Sequence, residues 1–185
     1  MKFEPLVKVV ENKLVKISDN SEISTENLNI VQADCLGEQP VPAAGTLTAV
    51  VCPWSMVELD GGYNEEFLAA LRESLKKFEA AGAFAFVVPQ ARKSFSDADE
   101  ADLFIKAMVH AARRIKDCGS VLGFAVASEL MEKDAGKKLD GNSWSEWFIS
   151  EMNVKHGHYV YFAGKSNIKK YGLLPQTSLC ELVLY

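Results

Sequence analysis

The sequence predicts an α/β domain on a mostly parallel sheet: a reduced or partial (β/α)8-type barrel preceded by a β-hairpin. Three observations predict it. From residue 46 onward, short apolar runs bounded by Gly or Pro alternate with segments of helical periodicity. Such alternation makes βαβ units, whose right-handed crossovers build a parallel sheet. Eight strand candidates appear if both hairpin strands are included, but only about four helices, in 185 residues. A complete barrel takes roughly 250 residues. A reduced barrel, a half barrel and an open sheet therefore all remain open.

The elements follow in order. Leu6, Val7, Val9 and Val10 precede Glu11-Asn12, and Leu14, Val15 and Ile17 follow, which reads as a hairpin. Polar residues Ser18 to Asn27 then act as a linker, so that 1–27 is hairpin and linker and 28–185 the barrel-like core of one domain. Leu28 to Ala33 and Thr46 to Trp54 are the next strands, the second a β-branched run. Asn64 is placed to cap a helix with Glu65 and Glu66 in its first turn. Phe67, Leu71, Leu75 and Phe78 recur along one of its faces, and Gly82 stops it. Ala83 to Val88 is a short apolar run of the kind buried on both sides of a parallel sheet. Asp97 and Glu100 have capping-box spacing for a second helix with Phe104, Met108, Ala111 and Ile115 as its buried stripe. Ser120 to Ala127 is another strand. Lys133 to Asn142 reads as a polar loop with an Asp140-Gly141 turn, and Ser143 with Glu146 opens a third helix. His158 to Ala163, a short helix from Ser166 to Tyr171 stopped by Gly172, and a strand from Cys180 to Tyr185 complete the chain.

Composition narrows the function classes. The net charge of −5 is mild and argues against a polyanion-binding surface, and the excess acid sits in residues 1–60. The cluster Lys165, Lys169, Lys170 has no interleaved aromatic besides Tyr171, so no nucleic acid is expected. No run approaches the roughly 18–20 apolar residues of a membrane helix, so no membrane association is expected. MKFEPLVKVVENK lacks a signal-peptide core, which makes the cytoplasm the default compartment. Cys35, Cys52, Cys118 and Cys180 form no CxxC pair and read as mostly buried thiols, with a Cys35–Cys52 bridge as the lesser alternative. No dinucleotide, Walker A or nucleophile-elbow motif is present, and no cofactor is expected.

Residues 47–131 resemble the second to fourth strands of clan-A glycoside hydrolases, the family-five cellulases and mannanases in particular. TAVVCPWSMVELDGGYNEEFLAALRESLKKFEAAG is similar to that family's strand ending in Pro-Trp, followed by a turn into a helix. AFAFVVPQ is similar to its third strand, and FIKAMVHAARRIKDCGSVLGFAVASEL to its third helix and fourth strand. The resemblance implies a TIM-barrel-like fold and, at Glu129, the family's acid/base position. Its Asn companion is Ser128 here. The family's strand-two Arg falls at Val51 and its strand-three His near Pro89-Gln90. A retaining mechanism needs a second carboxyl about 5–5.5 Å away. The late carboxylate available in its place is Glu181, in surroundings unlike the family's. As a plain structural feature, Ser128 and Glu129 are the cap and first turn of a helix, where a negative charge is favourable.

The resemblance and the residues together give three expectations. The first is a catalytically degenerate glycoside-hydrolase-like domain that takes a carbohydrate or a partner protein at the strand C-terminal face. Its rim would be Trp54, Glu58, Gln90, Ser128, Glu129 and Trp144, the tryptophans offering rings to stack on sugar or serving as core. The second is an active glycoside hydrolase with Glu129 as general acid/base, paired with Asp34 or Glu58. The third is a homo-oligomeric assembly module, because a half barrel exposes two sheet edges and an apolar interior. His156 and His158 are read as exposed imidazoles without a third ligand, so no metal site is expected, and His110 is read as facing solvent.

Overall fold

The computed structural model describes residues 3–136, 143–172 and 180–185. Three short antiparallel strands come first: β1 (Val7–Val10), β2 (Lys13–Lys16) and β3 (Glu22–Ile23). Glu11 and Asn12, both at positive φ, make the turn between the first two. The segment read as a linker thus adds a third strand to the hairpin. Then follow β4 (Asn29–Gln32), a 3-10 helix over Ala33–Glu38 and β5 (Leu47–Pro53). A single helical turn, α1 (Trp54–Val57), leads into the hairpin β6 (Glu58–Leu59) and β7 (Gly62–Tyr63).

The chain then alternates. Helix α2 (Glu65–Ala80) is capped by Asn64, whose side chain accepts the Phe67 N–H. It is followed by β8 (Phe84–Gln90), α3 (Ala98–Ile115) and β9 (Val121–Ala125). Asp97 caps α3 through the Glu100 N–H, and Glu100 reaches back to accept the Ser96 N–H at 2.7 Å, a capping box displaced by one residue. Helices α4 (Ser128–Gly136) and α5 (Trp144–His156) precede β10 (Val160–Ala163). The last elements are α6 (Lys165–Tyr171), closed by Gly172 in the left-handed region, and β11 (Leu182–Leu184). Lys133 to Gly136 is the end of α4 rather than loop. The Asp140-Gly141 turn lies outside the described residues.

The main sheet has six strands in the order β4-β5-β8-β9-β10-β11, every neighbouring pair parallel. Apart from the β6–β7 hairpin, neighbours in space are neighbours in sequence. Repeated right-handed crossovers of that kind send every helix to one face. The buried residues divide accordingly. Val50 and Cys52 of β5 pack with Leu71, Leu75, Phe104 and Met108 of the helices. Leu47 and Ala49 of the same strand, pointing the other way, pack with Phe86, Leu122, Phe162 and Val183. The fold is the α/β class expected, with a mostly parallel sheet, and its six strands are not joined edge to edge among the described residues.

The face turned away from the helices is therefore apolar and needs a cover. The N-terminal strands supply it: Val7, Leu14 and Ile23 belong to the same buried cluster as Phe86 and Phe162, whose rings stack at 4.0 Å. The same strands finish the β11 edge. The Thr25 hydroxyl donates to the Leu184 carbonyl at 2.9 Å, the Leu184 N–H to the Asn12 carbonyl at 3.4 Å, and the Glu181 carboxylate accepts the Asn12 N–H. At the opposite edge, β4 leaves Ile30 66% exposed.

One position in the sheet is fixed by space. The β8–β9 register shifts between Ala85 and Phe86, whose partners are Val121 and Gly123, so β9 carries one extra residue there. A Cβ on Gly123 would fall 1.8 Å from the Val160 carbonyl oxygen. Leu122 and Ala125 consequently share the inner cluster, although they are three apart.

Candidate functional site

In a parallel sheet of this kind, loops at the strand C-terminal ends carry the chemistry. Here that end is built by β5, β8 and β9. Pro53 and Gln90 are register partners, so Trp54 and the Ala91-Arg92 segment leave the sheet side by side. The Arg92 guanidinium lies over the Trp54 ring at 5.5 Å and donates to the Glu58 carbonyl at 3.3 Å. The Trp54 indole N–H donates to the Glu58 carboxylate at 2.7 Å, and its ring meets Phe104 edge-on at 5.9 Å. Trp54, Glu58 and Arg92 thus form one closed unit, with the tryptophan buried.

Glu129 stands in the first turn of α4, directly after β9. It is half-buried, and burial holds its carboxyl above the usual carboxylate range. Hydrogen bonds from its own N–H, from the Ser128 hydroxyl at 3.0 Å and from the Ala91 N–H pull the other way, without prevailing. The acid that acts on it is Glu132, nearly one turn along the same helix, which pushes it further up. Glu129 and Glu132 in turn both act on Lys170 of α6.

Of the anticipated rim, Glu129, Ser128 and the segment after Gln90 come together through the Ala91 contact. Gln90 is exposed at the tip of β8. Trp54 and Glu58 form the neighbouring unit. Trp144, the first residue of α5, is buried, with its ring 6.3 Å from Trp147. Its N–H donates to Asp134 at 2.6 Å, and Asp134 also takes the Ser145 N–H and hydroxyl. Asp34 is exposed in the 3-10 helix beyond β4. Glu181 is bound to the Asn12 N–H at the β11 edge.

Sequence reasoning missed two residues. Arg92 follows a strand end directly, and that position was the available signal. Asp134 lay in a stretch whose polarity suggested loop, so nothing marked it as the clamp on α5.

The histidines differ from expectation. His156 is buried, 2% exposed, because α5 turns its last residue inward beneath Tyr159. His110 is largely covered, stacked on Tyr63 at 3.7 Å and bonded to Glu65 at 2.8 Å. Among the described residues no three His, Cys, Asp or Glu side chains cluster to hold a metal. All four cysteines are free thiols. No helix among the described residues is long and apolar enough to cross a membrane.

No protein-family model matches the chain, and no curated protein matches it. Among solved structures it is similar to a GH5_18 from Bifidobacterium longum subsp. infantis, at 12% sequence identity and a TM-score of 0.47. The match covers 63% of this chain and 34% of that one, so the chain spans about a third of the neighbour's length. The likeness to a glycoside hydrolase family is distant and partial.

Proposed function

We propose that this chain is a glycoside-hydrolase-like domain without the two-carboxylate chemistry of that class, acting as a binding module at its strand C-terminal end. The observation that carries this is the surroundings of Glu129. A retaining glycosidase sets a second carboxyl about 5–5.5 Å from its acid/base. Among the described residues the acid that acts on Glu129 is Glu132 on its own helix, and Glu58 is committed to the Trp54 indole. The ligand class is a carbohydrate, with Gln90 and Arg92 as the accessible polar groups beside Glu129. Titration calorimetry against a panel of β-linked oligosaccharides tests this. Saturable heat that weakens at least tenfold in Arg92→Ala supports it, and no heat from any glycan at millimolar concentration rejects it.

A second reading keeps catalysis. A general acid must hold its proton near neutral pH, and burial moves Glu129 in that direction. Turnover of aryl glycosides that disappears in Glu129→Gln would establish it and overturn the first reading.

A further inference from the structure

At the opposite, N-terminal end of the sheet the structure holds a group of aromatic and imidazole rings that the proposed site does not use. His156 ends α5, and His158 and Tyr159 lead into β10. The His158 and Tyr159 rings lie 4.1 Å apart, His156 and Tyr159 5.9 Å, and the two histidines 6.3 Å. Phe3 covers the group from outside, 5.5 Å from His158. Nε2 of His158 and the Tyr159 hydroxyl are buried with no hydrogen-bond partner, and the buried His156 ring is met by the Val109 backbone. Orphaned polar atoms on this scale are unusual, because each forfeits its hydration.

The surrounding charges do not welcome a proton. Lys116, at the end of α3, and Lys155, in the last turn of α5, both act on His156, as does His158. Asp117 and Cys118 act on Tyr159, but Asp117 is bound by Arg72 and joined by Lys76, and the Cys118 thiol is pushed up to about 11 by burial. Glu4 and Glu79 line a cavity of about 170 Å³ beside His158, and Glu79 is paired with Lys76. A second cavity of about 730 Å³, lined by Phe3, Glu4, Lys116, Asn153, Lys155 and His158 among others, adjoins it. The rings therefore pack well while neutral; a proton on His156 meets the two lysines, and the carboxylate left to His158 is the exposed Glu4. Phe3 lines both cavities beside His158, and it stands four residues ahead of Val7, where β1 begins.

We infer that His156 and His158 form an acid-sensitive latch, whose protonation releases the segment around Phe3 and with it the hold of β1 on the inner face of the sheet. Burial lowers both histidines, His156 from 6.5 to about 4. The folded state thus binds fewer protons than the unfolded chain in that window. The latch is closed above pH 6.5 and loosens as pH falls towards 4. Between 6.5 and about 4 each pH unit shifts the closed-to-open ratio about tenfold through His156, and His158 adds in the same direction.

The test is a histidine NMR titration of the whole chain from pH 7.5 to 4, run alongside binding of the dye 8-anilinonaphthalene-1-sulfonate and far-UV circular dichroism. The expected result is that His156 titrates well below 6.5 and His158 below it, and that dye binding rises with them before helical signal is lost. Phe3→Ala should bind dye already at pH 7.5, and His156→Leu combined with His158→Phe should move the dye midpoint down by at least one pH unit. His156 and His158 both titrating near 6.5, a dye midpoint unmoved in the double variant, or a Phe3→Ala protein indistinguishable from the parent overturns the latch.

Discussion

Gly123 has the narrowest tolerance in the described sheet. Alanine there would place its Cβ inside the contact distance of the Val160 carbonyl, which is backbone and cannot swing aside. Gly123→Ala is expected to cost about 3 kcal/mol, at the upper end of ordinary overpacking, read as a lowered urea midpoint. Glu129 makes the opposite case. Its folded pKa lies above its ordinary value of 4.5, so the fold binds that proton more tightly than the unfolded chain does. Stability from this group is greatest at low pH and declines as pH rises through the folded pKa. Glu129→Gln removes that decline, and its urea midpoint at pH 7 should equal or exceed the parent's.

Among the elements, the helix starts are the best specified. Asn64, Asp97 and Ser143 each accept a backbone N–H three residues on, and each was legible because a short polar side chain just ahead of a helical apolar period is the ordinary N-cap. Asn64→Ala should lower stability by about 0.5–2 kcal/mol, measured by chemical denaturation. The parallel strands were equally legible, since burial on both faces leaves continuous apolar runs. What the sequence hid was contact between distant segments. Neither the third N-terminal strand nor the end of α4 has an apolar pattern that separates it from loop. The inward turn of His156 depends on how α5 meets β10, which no local spacing encodes. The candidate site was half visible: Ser128 and Glu129 follow from strand-to-helix chemistry, but the Ala91 contact and the closure of Trp54 on Glu58 and Arg92 come from register between β5 and β8.

At the level of the molecule, two apolar clusters back onto a single sheet, one roofed by helices and the other by three short strands. The two roofs are unequal, because the strand roof contributes Val7, Leu14 and Ile23 where the helix roof contributes buried residues from α1 through α5. Leu14→Ala, at a position with no exposure, should cost about 2–5 kcal/mol. Hydrogen exchange should show residues 7–23 losing protection before α2 and α3 do.

The bonds between Asn12 and Glu181 and between Thr25 and Leu184 span 169 and 159 residues of chain. During synthesis at roughly 5–20 residues per second, the first strands leave the ribosome many seconds before the edge they must join. Until β10 and β11 follow, Phe86 lacks Phe162 and Tyr185, and its ring surface stays open on the nascent chain.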